Sequence, residues 1–207
     1  MTEARQGRGA TPPAPDDAAA GDPAATAPSL ADLVHLARAA LEAAADRGRT
    51  IASAESCTGG LVAHALTEVP GSSATFRGGV VAYANDAKVA LLGVDPGLLE
   101  RHGAVSAEVA VAMAEGARSR LGADLAVAVT GVAGPDGGTA EKPVGLVYVC
   151  AAGPDGSRVR RCLWPYDRAG NKRASAAVAL RMLVDAAAGR PDATDREAMD
   201  REAAHRA

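Results

Sequence analysis

Between residues 29 and 189, short apolar runs of β character alternate with stretches whose apolar residues recur at helical spacing. Such alternation predicts strands and helices in succession, hence a mostly parallel sheet covered by helices on both faces. Ser29 is placed to cap a helix carrying Leu33, Leu36, Ala40 and Leu41 on one face. A strand is expected over 50–54 and a helix over 59–69, stopped by Pro70-Gly71. Residues 78–83 read as a strand and 86–92 as a short helix. Ser106 caps a longer helix over 107–121, with Gly122 as its stop. Another strand follows at 124–130. The runs 144–151 and 158–164 bracket Gly153-Pro-Asp-Gly156, a turn signal that predicts an antiparallel hairpin and so a mixed sheet. An amphipathic helix over 168–187 completes the domain, which is taken as 29–189. Aromatics are 2% of the chain, so the core must be aliphatic.

Residues 1–28 are rich in Ala, Pro, Gly, Asp and Thr without a periodic apolar face, which predicts a disordered arm. Residues 190–207 are charged and apolar-poor, which predicts a flexible tail. A formal charge of −3 argues against nucleic acid or an anionic membrane as partner. No run is long enough to span a bilayer and no secretory signal is visible. The three cysteines lack zinc-ligand spacing and suit a reducing cytoplasm, and the four histidines form no ligand pair, so no structural metal is expected.

Three segments carry candidate chemistry. In Ala54-Glu-Ser-Cys-Thr-Gly-Gly60, Ser56 stands at a strand-to-helix junction. There, a helix dipole and unpaired N–H groups would favour attack on a carbonyl carbon. Taken alone, an N-cap serine is the commoner outcome, and Cys57 is a rival nucleophile with no histidine base. In Tyr83-Ala-Asn-Asp-Ala-Lys88, Tyr83 and Lys88 flank a second junction. A lysine acts as a base only when desolvation or a neighbouring cation lowers its pKa from about 10.4; a solvated helix lysine is the bland alternative. The third, Val129 to Pro143, runs from a strand into a glycine-rich loop that is neither a Walker loop nor a dinucleotide fingerprint. In an open sheet such a loop lies beyond a strand's carboxyl end, where ligands bind. Thr58, Gly59, Gly60, Gly131 and Gly134 are thus candidate substrate-binding positions. Arg168 and Arg173 open the last helix as possible phosphate holders.

Together with Gly103-Ala-Val-Ser106, Gly137-Gly-Thr139 and Lys142-Pro-Val-Gly145, these motifs resemble the CinA C-terminal domain family. The similarity covers roughly 30–188. It implies a three-layer α/β/α sandwich with a mixed, mostly parallel sheet, assembled as a homodimer. Stand-alone members of that family are nicotinamide mononucleotide (NMN) deamidases. The resemblance implies amide hydrolysis without metal or cofactor: Ser56 is the nucleophile, Lys88 the general base, and Tyr83 and Thr130 the hydroxyl partners that orient the pair. An arginine near the final helix resembles the substrate holder. The family often has Gly-Asp-Arg where this chain has Tyr166-Asp-Arg168, so Arg168 and Arg173 both stay in play. The competing expectations are a non-catalytic nucleotide-binding module, a competence- or damage-related regulatory module, and an amidohydrolase for another small amide.

Overall fold

The computed structural model describes residues 16–17 and 26–189. Two stretches of the chain read above as arm and tail fall largely outside them. Within the arm, Asp16–Asp17 form a two-residue strand, β1. The domain then runs α1 (Leu30–Ala45), β2 (Ile51–Glu55), α2 (Leu61–Thr67), a 3₁₀ turn (Ser72–Ala74), β3 (Phe76–Val81) and α3 (Asn85–Leu92). It continues with α4 (Pro96–His102), α5 (Ala107–Leu121), β4 (Leu125–Gly131), β5 (Leu146–Gly153), β6 (Gly156–Leu163) and α6 (Arg168–Ala188).

The sheet order is β1-β6-β5-β4-β2-β3. β2 pairs in parallel with β3 and β4, β5 is antiparallel to β4 and β6, and β1 is parallel to β6. The hairpin expected around Gly153-Pro-Asp-Gly156 is β5–β6, closed at the Gly153–Gly156 pair.

Side-chain alternation explains the two layers. In β4, Leu125, Val127 and Val129 join one core with residues of α1, α2 and α6, while Ala126 and Ala128 join the other with α5. Both faces of the strand are buried, so the sequence shows a continuous apolar run rather than an alternating one. The α5 face is built of Ala107, Ala110, Ala114 and Ala117 around Met113 and Val109. Small residues let the helices approach closely: a Cβ on Gly116 of α5 would sit 2.1 Å from the Leu92 carbonyl at the end of α3. That approach seats α3, which carries Lys88, against α5.

The caps follow local chemistry. Ser29 Oγ accepts from Asp32 N while Asp32 answers to Ser29 N, a capping box, and Ser106 Oγ accepts from Val109 N. Helix α4 is not among the expected elements, although Asp95 at its N-cap and Pro96 at its first position are start signals. Its seven residues are too few to show a periodic face.

Candidate active site

β2 ends between two neighbours that fix its last residues. Ala82 N donates to Glu55 O (2.8 Å) and Ser56 N donates to Val129 O (2.9 Å), so the chain leaves the sheet only after Ser56. Helix α2 begins five residues later at Leu61, with Gly60 as a left-handed N-cap (φ 93°) that offers no side chain. Ser56 is therefore not the cap. The capping oxygens come from Glu55, whose carboxylate accepts from Val62 N (3.1 Å) and Ala63 N (2.8 Å). This also corrects the expectation that unpaired α2 N–H groups serve Ser56, since those donors are taken. Glu55 is buried, and nothing in a strand-terminal glutamate marked it beforehand.

Replacing Glu55 by Ala strands both α2 donors without an acceptor. A loss of about 1–3 kcal/mol of stability is expected, read by urea denaturation, with Glu55→Gln intermediate because its one carbonyl oxygen still accepts.

Lys88, in the first turn of α3, turns back under the sheet edge and is 1% exposed. Its Nζ lies 3.1 Å from Ser56 Oγ and bonds the carbonyls of Ala82 (3.0 Å) and Tyr83 (3.1 Å). No carboxylate is paired with it among the described residues. Burial without a counter-charge holds its pKa below the ordinary 10.5, although the Cys57 side chain pulls the other way.

Cys57 takes no such role. Burial pushes its thiol up to about 12, so it carries no thiolate near neutral pH.

The pair opens on a cleft of about 250 Å³, lined among others by Asn85, Val105, Thr130, Gly131, Asp136 and Arg168. Tyr83 contributes differently from expectation. Its carbonyl, not its phenol, meets Lys88, while the phenol oxygen accepts from Arg168 (3.0 Å). Thr130 Oγ1 donates to Ala104 O (2.7 Å), tying the end of β4 to the segment before α5. Neither hydroxyl is bonded to Ser56 or Lys88; both brace the walls. Gly131 is required sterically, because a Cβ there would sit 2.6 Å from Leu146 O. Gly134 has φ 86° and turns the loop back over the cleft, where its carbonyl accepts from Arg168 (2.6 Å).

The two arginines separate cleanly. Arg168 lines the cleft, whereas Arg173 Nε donates to Pro28 O and holds the chain ahead of α1. Thr58 is fully buried with an unpartnered Oγ1 and, like Gly59 and Gly60, is not part of the cleft wall. Asn171 was not anticipated. Buried on α6, it donates to Ala133 O (3.0 Å) and accepts from Tyr166 N (3.1 Å), fastening the loop after β4 to the helix that carries Arg168. Among the described residues no helix is long and apolar enough to cross a membrane.

A buried serine–lysine contact at the carboxyl end of a parallel strand is the arrangement the motifs implied. The model of the CinA C-terminal domain matches residues 33–187. This chain belongs to that family. It is 57% identical over 136 residues to a CinA-like protein of Mycobacterium marinum, covering 65% of this chain and 32% of that protein. Against a CinA-like protein of Parasynechococcus marenigrum the identity is 58% over 131 residues, 63% of this chain and 30% of that one. The chain thus spans about a third of the length of these curated relatives. Among solved structures, the competence/damage inducible protein CihA of Agrobacterium tumefaciens superposes with a TM-score of 0.73 at 44% identity, covering 77% of this chain and 97% of that one. A CinA superfamily protein of Klebsiella pneumoniae gives a TM-score of 0.73 at 30% identity, over 76% of this chain and 98% of that one. These CinA structures share its mixed sheet between helical layers.

Proposed function

We propose that this CinA domain is an amidohydrolase that converts NMN to nicotinic acid mononucleotide and ammonia through an acyl-serine. The observation that carries the reading is the 3.1 Å contact between Ser56 Oγ and a buried, uncompensated Lys88 Nζ. A neutral amine has two N–H donors and one lone pair. The Ala82 and Tyr83 carbonyls take the donors, which leaves the lone pair facing the serine hydroxyl. The same three-way contact penalises a charged ammonium less than full burial would, so the site is poised to cycle between the two forms.

In the first step Ser56 Oγ bonds to the carboxamide carbon as its proton passes to Lys88 Nζ. The carbonyl π bond opens to an oxyanion; Cys57, Ala133 and Gly134 line the same cleft, and their backbone N–H groups are the proposed donors to it. Collapse breaks the C–N bond, and the Lys88 proton leaves with the nitrogen as ammonia. Water then attacks the ester, Lys88 takes its proton, and return of that proton to Oγ frees the serine and nicotinic acid mononucleotide. The pyridinium of NMN withdraws electrons from the amide. Its positive charge near Lys88 also disfavours the ammonium. Arg168 supplies a cation at the cleft wall for the phosphate.

The decisive assay is ammonia release from NMN by the purified chain. Stoichiometric ammonia and nicotinic acid mononucleotide are expected. Their absence, with ammonia released from other small amides, would move the chain to a different amidohydrolase; no turnover of any amide would leave a binding or regulatory module.

A further inference from the structure

A second cation stands beside Arg168, in a recess that adjoins the cleft. Lys172 lies one helical turn along α6, so the two project from the same face. Lys172 lines an open recess of about 720 Å³ that shares Ala133, Gly134 and Arg168 with the cleft holding Ser56. Its ammonium rests near the turn after Ser56: a Cβ on Gly59 would be 3.5 Å from Lys172 Nζ, an ordinary van der Waals contact. Lys172 is half-buried, and among the described residues it has no hydrogen-bond or ion-pair partner. The Asp167 carboxylate, which shares the recess, is occupied in capping Gly170 N (2.7 Å).

The first turn of α6 holds no acidic residue beyond the Asp167 N-cap, and three cations, Arg168, Lys172 and Arg173, lie within its first two turns. Arg173 is bonded to the Pro28 carbonyl. Arg168 donates to Gly134 O and the Tyr83 hydroxyl, which fixes its plane and leaves only its remaining N–H groups for a ligand. Lys172 alone has all three donors uncommitted. An anion bound between them would relieve the repulsion and meet the helix end as well.

We infer that Lys172 and Arg168 form a two-point cradle for a phosphate monoester. Arg168 is its fixed wall and Lys172 the charge that closes on the phosphate. The inference rests on the amidohydrolase reading for the identity of the substrate as NMN, but the cradle itself is testable without turnover.

Two measurements separate the two claims. Ribose 5-phosphate and inorganic phosphate are titrated calorimetrically into wild type, Lys172→Met and Lys172→Arg. Wild type should bind the sugar phosphate, Lys172→Met should bind it at least about tenfold more weakly, the size of one charge-assisted contact, and Lys172→Arg should recover most of the loss. The ligand-free melting temperature of Lys172→Met should be unchanged or higher, because a cation is removed from the wrong end of a helix; a fall of several degrees would mark Lys172 as a structural residue and overturn the cradle. Equal binding by wild type and Lys172→Met overturns it too. In the second measurement, the ratio of kcat/KM for NMN to that for the dephosphorylated riboside should drop about tenfold or more in Lys172→Met, carried by KM. An unchanged ratio in an active enzyme removes Lys172 from substrate selection. Should wild type release no ammonia from NMN, the amidohydrolase reading fails while the calorimetry still decides the cradle.

Discussion

Ser56→Ala is expected to abolish ammonia release from NMN, with kcat lowered on the order of 10⁴–10⁶-fold, as when a serine hydrolase loses its nucleophile. The fold should survive. Ser56 caps no helix, and its backbone N–H, which pairs with Val129 O, is untouched by the change. Loss of the hydroxyl leaves Lys88 Nζ with two carbonyl partners. The measurement is steady-state ammonia release alongside a thermal melt. Rapid mixing of wild type with NMN should also show one acyl-enzyme equivalent by mass spectrometry if deacylation is slow, and Ser56→Ala should show none. Wild-type turnover by a folded Ser56→Ala protein would end the mechanism.

Lys88→Met should cost about 10²–10⁴-fold or more in kcat, the range of a positioned general base, and Lys88→Arg should fail as well, since a guanidinium stays charged at any working pH. The pH dependence is more discriminating. Burial holds the Lys88 pKa below 10.5, so kcat/KM should climb with pH along a limb whose midpoint lies below that value. The limb should vanish from the residual rate of Lys88→Met, and a limb unchanged in that variant would assign the titration to another group. Stability carries the same signature. Above pH 10.5 the amine is neutral in both folded and unfolded chains and its burial carries no charge penalty. As pH falls from there, the unfolded chain takes up the proton before the folded one, so stability declines until the folded amine titrates, and is then flat. Lys88→Met should lose this slope, measurable as the denaturation free energy across the alkaline range.

Local chemistry made much of the fold legible. Ser29 and Ser106 cap the helices they were expected to cap, and Gly122 closes α5 in the left-handed conformation. The Gly-Pro-Asp-Gly turn closes its hairpin. These features act over a few residues, so a single sequence displays them. Helix α4 escaped because a helix of about two turns has no face to repeat. The site was legible as a set of positions and not as contacts. Ser56, Lys88 and Arg168 meet across 32 and 80 residues of chain, and only the motif resemblance grouped them.

The directions of the side chains were not legible at all. Tyr83 and Thr130 were expected to orient the catalytic pair through their hydroxyls, yet those hydroxyls turn to Arg168 and to Ala104 O. A rotamer is chosen by whichever partners the packed elements bring near, and those partners come from α6 and from the segment before α5. Thr58 looked like a ligand contact and is fully buried outside the cleft lining, although its neighbour Cys57 belongs to that lining.

Sequence alone therefore determined the aliphatic core and the succession of strands and helices apart from β1 and α4, since periodicity, caps and turns are properties of neighbouring residues; the candidate nucleophile and base came from the motif resemblance. Tertiary structure alone decided that Lys88 is buried without a counter-ion among the described residues, that Glu55 rather than Ser56 caps α2, and that Arg168 rather than Arg173 faces the cleft. The physical reason is that desolvation and hydrogen-bond partnership depend on atoms from distant segments, and these exist as neighbours only once both helical layers have closed on the sheet.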